Sequence, residues 1–399
     1  MRPIRLAYLV THPIQYQAPL LRRIAADADI ELEVFFSSDF STRPFADDGF
    51  GRTIAWDVPL TEGYRHQVLP ALDPGHMPDF WRPWSYGLGR RLDEGRFDAL
   101  WIHGYARLFH WRAMLAAKRR GLKVLLRDEA TPISAQRSGA KQRAKRAFFA
   151  LVDRLVDAYL AIGTLNRRYY MEHGVAAAKI HPMPYAVDNG FFRDRVAAAR
   201  PARETLRARL GLAPGRPVIL FASKMIERKR AADLIEAQAV LARGQSAAPY
   251  LLMAGDGPLR ADLEARAQAL RLADVHFLGF QGQEALPALF DLCDLFVLPS
   301  VLEPWGLVVN EAMNAGRPVV VSDQTGCAPD LVRDGENGHV VPAGDTAALA
   351  RALGRITGDA ALAARMGARS LEIVGAWDFE ADVAGLKSAL RHCLGGRDG

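Results

Sequence analysis

Short apolar runs of strand length alternate along this chain with stretches of helical periodicity, and they do so in two successive series. The first runs through Ile4–Val10, Leu32–Ser37, Ala99–His103, Lys123–Arg127 and Ala158–Ile162, with helical patterns at Pro19–Ala26, Arg107–Arg120 and Ala140–Val156. The second opens after Pro214-Gly215-Arg216-Pro217 and runs through Val218–Ala222, Tyr250–Ala254, His276–Leu278, Leu292–Leu298 and Pro318–Ser322. Strands apolar on both faces need cover on both, and strands separated by helices pair in parallel. Each series therefore predicts an α/β layer with a parallel sheet inside. The pattern breaks near Ala186-Val187-Asp188-Asn189, and residues 193–210 are charged and rich in Ala and Arg. We expect a first domain over 1–187, a linker over 188–216 and a second domain over 217–374. At 399 residues and 50% hydrophobic, the chain can fill two separate cores.

Several functional classes fall away. The apolar run Leu6–Val10 is too short for a signal-peptide core, and no uncharged apolar run approaches a bilayer-spanning length. Three scattered cysteines, Cys293, Cys327 and Cys393, give neither a disulfide framework nor a metal-ligand spacing. A cytoplasmic protein is expected. The net charge of +6 permits an anionic partner, but no groove-reading or base-stacking motif for nucleic acid accompanies it.

The densest chemistry lies between the last two strand runs. The stretch Glu303-Pro304-Trp305-Gly306-Leu307-Val308-Val309-Asn310-Glu311 sets two glutamates eight positions apart, where a strand hands over to a helical pattern at Gly306–Ala315. Gly316 and Pro318 stop that helix. A helix N-terminus at the end of a parallel strand offers free backbone N–H groups and a positive dipole end, hence an anion site. Glu303 falls in the loop beside it, and Glu311 about a turn and a half into the helix. A phosphate between two carboxylates, flanked by hydroxyls that donate to them, describes a nucleotide sugar. With Gly316-Arg317-Pro318-Val319-Val320, the stretch resembles the E-x7-E signature of retaining GT-B glycosyltransferases, family 4 in particular. The resemblance implies an α/β fold of two Rossmann-like domains facing a cleft, with a C-terminal helix (about 375–399) crossing back to the first.

Further residues follow from that resemblance. Phe221-Ala222-Ser223-Lys224-Met225-Ile226-Glu227-Arg228-Lys229 is similar to a family segment whose arginine, and a lysine five positions later, clamp the donor diphosphate. Lys224 stands at the arginine position and Lys229 at that of the lysine. Two cations neutralise the charge that grows on the leaving group, although lysine lacks the bidentate fork of arginine. Gly255, Gly257 and Phe280 are implied around base and ribose, and Gly306 and Leu307 beside the phosphates. Glu311 is implied at the ribose hydroxyls and Glu303 at the transferred sugar. Glu303, His103 and Lys229 form the implied catalytic set, and the reaction proceeds on one face of the sugar. The donor is a nucleoside-diphosphate sugar, with no metal ligand set and no further cofactor expected.

The first domain is expected to take the acceptor, a hydroxyl of a glycan or a lipid-linked molecule. Many family members carry a Gly-Gly pair after the first strand. This chain has Thr11-His12-Pro13-Ile14-Gln15-Tyr16-Gln17, which makes His12 and Gln15 candidate hydrogen-bonding residues. His103 ends a strand run, so it is either a ligand-facing histidine or a satisfied core one. The charges of Arg127-Asp128-Glu129 form an ion-pair network or face the ligand, and the second is favoured for Arg127 and Glu129. The basic 141–146 run before Phe148-Phe149 fits either an anionic membrane surface or a solvated helix whose phenylalanines enter the core, and Phe80-Trp81-Arg82-Pro83-Trp84-Ser85-Tyr86 fits an acceptor or membrane loop, or a core lid. The alternatives are a nucleotide-sugar epimerase of this architecture and a non-catalytic sugar-nucleotide-binding protein.

Overall fold

The computed structural model describes residues 2–72, 79–133, 139–244 and 248–395. These form two compact units, one of Met1–Phe45, Val58–Tyr185 and Phe379–Gly399, the other of Ala46–Asp57 and Ala186–Asp378. The strands of the N-terminal half are β1 (Ile4–Val10), β2 (Ile30–Phe36), β3 (Phe45–Asp47), β4 (Arg52–Ile54), β5 (Arg65–Val68), β6 (Ala99–His103), β7 (Lys123–Arg127), β8 (Ala158–Ala161) and β9 (Ile180–Pro182). Seven of them make one parallel sheet in the order β5-β2-β1-β6-β7-β8-β9, and β3 and β4 form a separate two-stranded ribbon. The second unit is built on β10 (Val218–Ala222), β11 (Tyr250–Ala254), β12 (Val275–Gly279), β13 (Leu295–Leu298), β14 (Val319–Ser322) and β15 (Gly338–Val341), parallel and ordered β12-β11-β10-β13-β14-β15.

The central strands explain why the sequence reads as continuous apolar runs. Leu6 of β1 faces Leu32 of β2 on one side and Ala99 of β6 on the other. Successive side chains then enter opposite cores. Leu6, Tyr8 and Val10 pack with Leu20, Leu21 and Ile24 of the helix Ala18–Ala25, and with Val383, Leu386 and Leu390 of the helix Phe379–Leu394. Ala7 and Leu9 join the core on the other face. The C-terminal helix thus covers the first sheet, as the resemblance implied, and the last four positions of the expected 375–399 stretch lie outside the described residues. In both sheets the winding reverses beside the first strand, between β1 and β6 and between β10 and β13. Loops leaving the carboxyl ends of such strands are where doubly wound sheets hold ligands.

Three expectations are corrected. Residues 188–216 are not simply a linker: they carry the helices Asn189–Ala199 and Arg203–Arg209, which belong to the second unit. The Asp188 carboxylate accepts the Phe191 N–H (2.9 Å), so the polar pair that interrupts the strand pattern is a helix cap. The apolar run Leu292–Leu298 is two elements, because Leu292 ends the helix Leu286–Leu292 and β13 begins only at Leu295. Finally, Ala46–Asp57, which the sequence places inside the first domain, packs with the second unit. No helix among the described residues is long and apolar enough to cross a membrane.

Candidate functional site

In the second unit, the two loops flanking the switch point bring Lys229 and Glu303 together. After β10 the chain runs through a single 3-10 turn, Glu227–Lys229, which is followed by Arg230 in the left-handed region (φ 54°). The turn directs the Lys229 side chain inward, where its ammonium contacts Glu303 Oε2; Arg228 lies 3.6 Å from the same oxygen. Lys229 and Glu303 are both buried. Burial lowers the Lys229 pKa, and the Glu303 carboxylate beside it opposes that change without cancelling it. The Glu303 backbone is clamped to the loop after β14, donating to Gln324 O (3.1 Å) and accepting from Gly326 N (2.9 Å). A Cβ at Gly326 would stand 1.9 Å from Pro304 O, so only glycine permits this approach.

The helix after Glu303 is anchored by its tryptophan. Trp305 is buried against Trp377 (5.2 Å between ring centroids), and its indole N–H donates to Asn310 Oδ1 (3.0 Å). Gly306 (φ 96°) turns the chain into the helix Leu307–Asn314, whose first turn carries no acidic side chain to occupy its free amides. Glu311 is buried in that helix and has no ion-pair partner among the described residues. Burial pushes its pKa up to about 7. The pair expected from sequence thus has two characters, Glu303 neutralised by a lysine and Glu311 buried alone.

Lys224 does not converge on Glu303. Its ammonium donates to both oxygens of Asp47, at 2.8 and 2.9 Å. Gly255 and Gly257 hold the β11 loop against the β10 loop. A Cβ at either would collide with Ser223 O (1.9 Å) or Met225 O (2.5 Å), while Met225 N–H donates to Asp256 O (2.8 Å). Their glycine character is therefore explained by loop packing beside Lys224. Phe280, after β12, meets Phe50 edge to face (4.9 Å).

At the switch point of the first unit a set of polar side chains converges. Tyr8 OH donates to Gln17 Oε1 (2.8 Å), and Gln17 Nε2 lies 3.3 Å from His103 Nδ1. His103 Nε2 is 3.7 Å from Glu129, which also accepts from Tyr16 OH (3.2 Å) and from Tyr185 OH. Burial would raise the Glu129 pKa, but these donors outweigh it and hold the carboxyl below its usual range. His12 is pushed down to about 4 by burial and then by neighbouring Arg107 and His103, so its imidazole is neutral at pH 7. Among the described residues, neither His12 Nδ1 nor Gln15 Oε1 has a hydrogen-bond partner. Sequence reasoning found His12, Gln15, His103 and Glu129 but missed Tyr16, Gln17 and Tyr185. The first two lie in the very loop that departs from the family pattern; Tyr185 gave no local signal.

Arg127 is a correction. Its side chain is 1% exposed and donates to Met183 O (3.1 Å), Pro184 O (2.9 Å) and Asp382 Oδ1 (3.1 Å). A guanidinium held that way ties the C-terminal helix to the sheet and does not face a ligand. The basic 141–146 run resolves similarly. Phe149 is fully buried, Phe148 packs against the core, and Lys145 lies over the Phe148 ring (4.3 Å). By contrast Phe80, Trp81, Trp84 and Tyr86 remain 41–64% exposed.

Comparison with known proteins agrees with this fold. The family described as glycosyl transferases group 1 matches residues 202–372. The D-inositol 3-phosphate glycosyltransferase of Streptomyces scabiei is 31% identical over 381 residues, covering 88% of this chain and 80% of that protein. The chain belongs to the group 1 glycosyltransferases. The alpha-D-kanosaminyltransferase of Streptomyces kanamyceticus is 37% identical, but the match spans about half of each protein (48% and 48%). Among solved structures, Anabaena HepE in complex with UDP and glucose superposes with a TM-score of 0.70 at 20% identity, over 97% of this chain and 99% of that one. As in that fold, this glycosyltransferase has two doubly wound units, with the family match falling on the one that carries Lys229, Glu303 and Glu311.

Proposed function

We propose that this glycosyltransferase moves a sugar from a nucleoside-diphosphate donor to a hydroxyl of a glycan or lipid-linked acceptor, with retention of anomeric configuration. The observation that carries the reading is the buried Lys229–Glu303 pair beside the uncapped N-terminus of Leu307–Asn314, at the switch point of the second sheet. Lys229 and Lys224 would take the diphosphate, with the amides following Gly306 and Leu307, and Glu311 the ribose hydroxyls. Glu303, released from Lys229, would orient the sugar and stabilise positive charge near its anomeric carbon. The bond from that carbon to the diphosphate oxygen breaks while a bond to the acceptor oxygen forms on the same face. The acceptor proton passes to the departing phosphate. In this reading lysine charge replaces a divalent cation at the leaving group.

The cluster of His12, Gln15, His103 and Glu129 suits an acceptor hydroxyl, which can donate to the Glu129 carboxylate and accept from a neighbouring donor. A lipid-linked acceptor would bring the chain to the cytoplasmic face of an anionic membrane. The exposed Phe80, Trp81, Trp84 and Tyr86, with Arg82 between them, suit that interface better than the 141–146 helix does. The test is a transfer assay across UDP-, GDP-, ADP- and dTDP-sugars with a panel of hydroxyl acceptors in EDTA, with proton NMR of the product. The expected product keeps the configuration of the donor. An inverted linkage overturns retention, a freed epimerised sugar favours an epimerase, and loss of turnover in EDTA overturns the lysine assignment.

A further inference from the structure

The segment Ala46–Asp57 belongs to the second unit and lies over residues assigned to the donor. Its contacts form a line across the carboxyl ends of β10, β11 and β12. Asp47 takes the Lys224 ammonium on both carboxylate oxygens (2.8 and 2.9 Å), and the same ammonium lies 4.6 Å from the centre of the Phe50 ring. Phe50 meets Phe280 edge to face, and the Arg52 guanidinium lies 5.9 Å from the Phe280 ring centre and 3.5 Å from Asp256 Oδ2. At the far end the Asp57 carboxylate accepts the backbone N–H groups of Gln283 and Glu284, each at 3.1 Å. Two glycines allow this closeness. A Cβ at Gly49 would stand 2.8 Å from Lys224 Cδ, and one at Gly282 only 2.0 Å from Asp57 Oδ2.

We infer that residues 46–57 are an intramolecular strap that occupies the donor site at rest, with the Asp47 carboxylate standing where a donor phosphate oxygen would bind Lys224. This rests on the reading of Lys224 as a diphosphate ligand. A carboxylate presents two anionic oxygens to an ammonium much as a phosphate does, so the two compete for one point charge. The donor must displace Asp47, and its apparent affinity is lowered by the fraction of molecules in which the strap is closed. Both side chains are only partly buried (31% and 15% exposed), so the strap is weak enough to yield to a diphosphate.

The test is calorimetric titration of the full chain with UDP, GDP, ADP and dTDP, together with hydrogen exchange of the 46–57 amides. Asp47→Asn should tighten the preferred nucleoside diphosphate by about three- to tenfold. Asp48→Asn, which removes the same charge one position along from an exposed side chain, should leave affinity at the parent value. Ligand binding to the parent should speed exchange across 46–57, because the strap opens. Equal affinity for Asp47→Asn and parent, an equal gain from Asp48→Asn, or slowed exchange on binding overturns the strap and leaves the donor site standing. Undiminished diphosphate binding by Lys224→Ala, or no binding by any variant, overturns the Lys224 assignment and the strap with it.

Discussion

Two buried ion pairs in this molecule look alike on paper and differ in their partners. Arg127–Asp382 in the first unit has side chains 1% and 0% exposed, and the arginine also donates to the carbonyls of Met183 and Pro184. Lys229–Glu303 in the second unit has side chains 10% and 8% exposed and sits between two loops at a sheet switch point. The arginine is held by several partners that tie the helix Phe379–Leu394 to the sheet. The lysine has one carboxylate partner, carried on the neighbouring loop, and burial lowers its pKa while that carboxylate opposes the change. In the proposed function that cation exchanges this one partner for a phosphate. Burial of a charge therefore does not separate structure from function; the number and rigidity of its partners does.

The largest expected effect falls on the structural pair. Arg127→Met leaves Asp382 buried without its cation and should cost about 3–5 kcal/mol in denaturant unfolding. Nucleoside diphosphate affinity per folded molecule should be unchanged; a parallel loss would erase the contrast. Glu311 offers a test through pH. Its folded pKa of about 7 lies above the reference 4.5, so the folded state keeps a proton that the unfolded chain has released. Stability should then fall as pH rises from 4.5 to 7, and Glu311→Gln should flatten that slope. Above pH 7 the variant should gain on the order of 3 kcal/mol over the parent. Equal slopes in parent and variant would show that Glu311 is not the titrating group. Next, Glu303→Gln should lower turnover by about a hundredfold, through loss of charge stabilisation at the sugar. Its diphosphate affinity should hold or rise, because Lys229 loses its resting partner. Weaker diphosphate binding would mean that Glu303 holds the nucleotide and not the sugar.

The sequence made the two parallel sheets readable because their central strands are buried on both faces. Strands β1, β6, β7, β10 and β11 appear over the very residues expected. The edge strand β5, Arg65-His66-Gln67-Val68, was not legible, since a polar edge carries no apolar run. In the site, Glu303, Glu311 and Lys229 came from a resemblance to the family motif, since their spacing alone fits ordinary surface charge as well. The ion-pair partners of the two lysines were hidden, because Lys229 meets a residue 74 positions away, and Asp47 meets Lys224 across 177. Arg127 was misjudged for the same reason. A strand-end arginine looks ligand-facing until a helix from the other end of the chain, carrying Asp382, covers it.

The central claim is that Lys229 trades Glu303 for a diphosphate, whereas Arg127 trades nothing. Calorimetric titration of the preferred nucleoside diphosphate into the parent and Lys229→Met, at one pH and ionic strength with folding checked by circular dichroism, tests it most directly. One diphosphate should bind the parent at a single site, and Lys229→Met should weaken it by at least about tenfold, or ~1.4 kcal/mol. Parent-like affinity in a folded Lys229→Met protein would contradict the account.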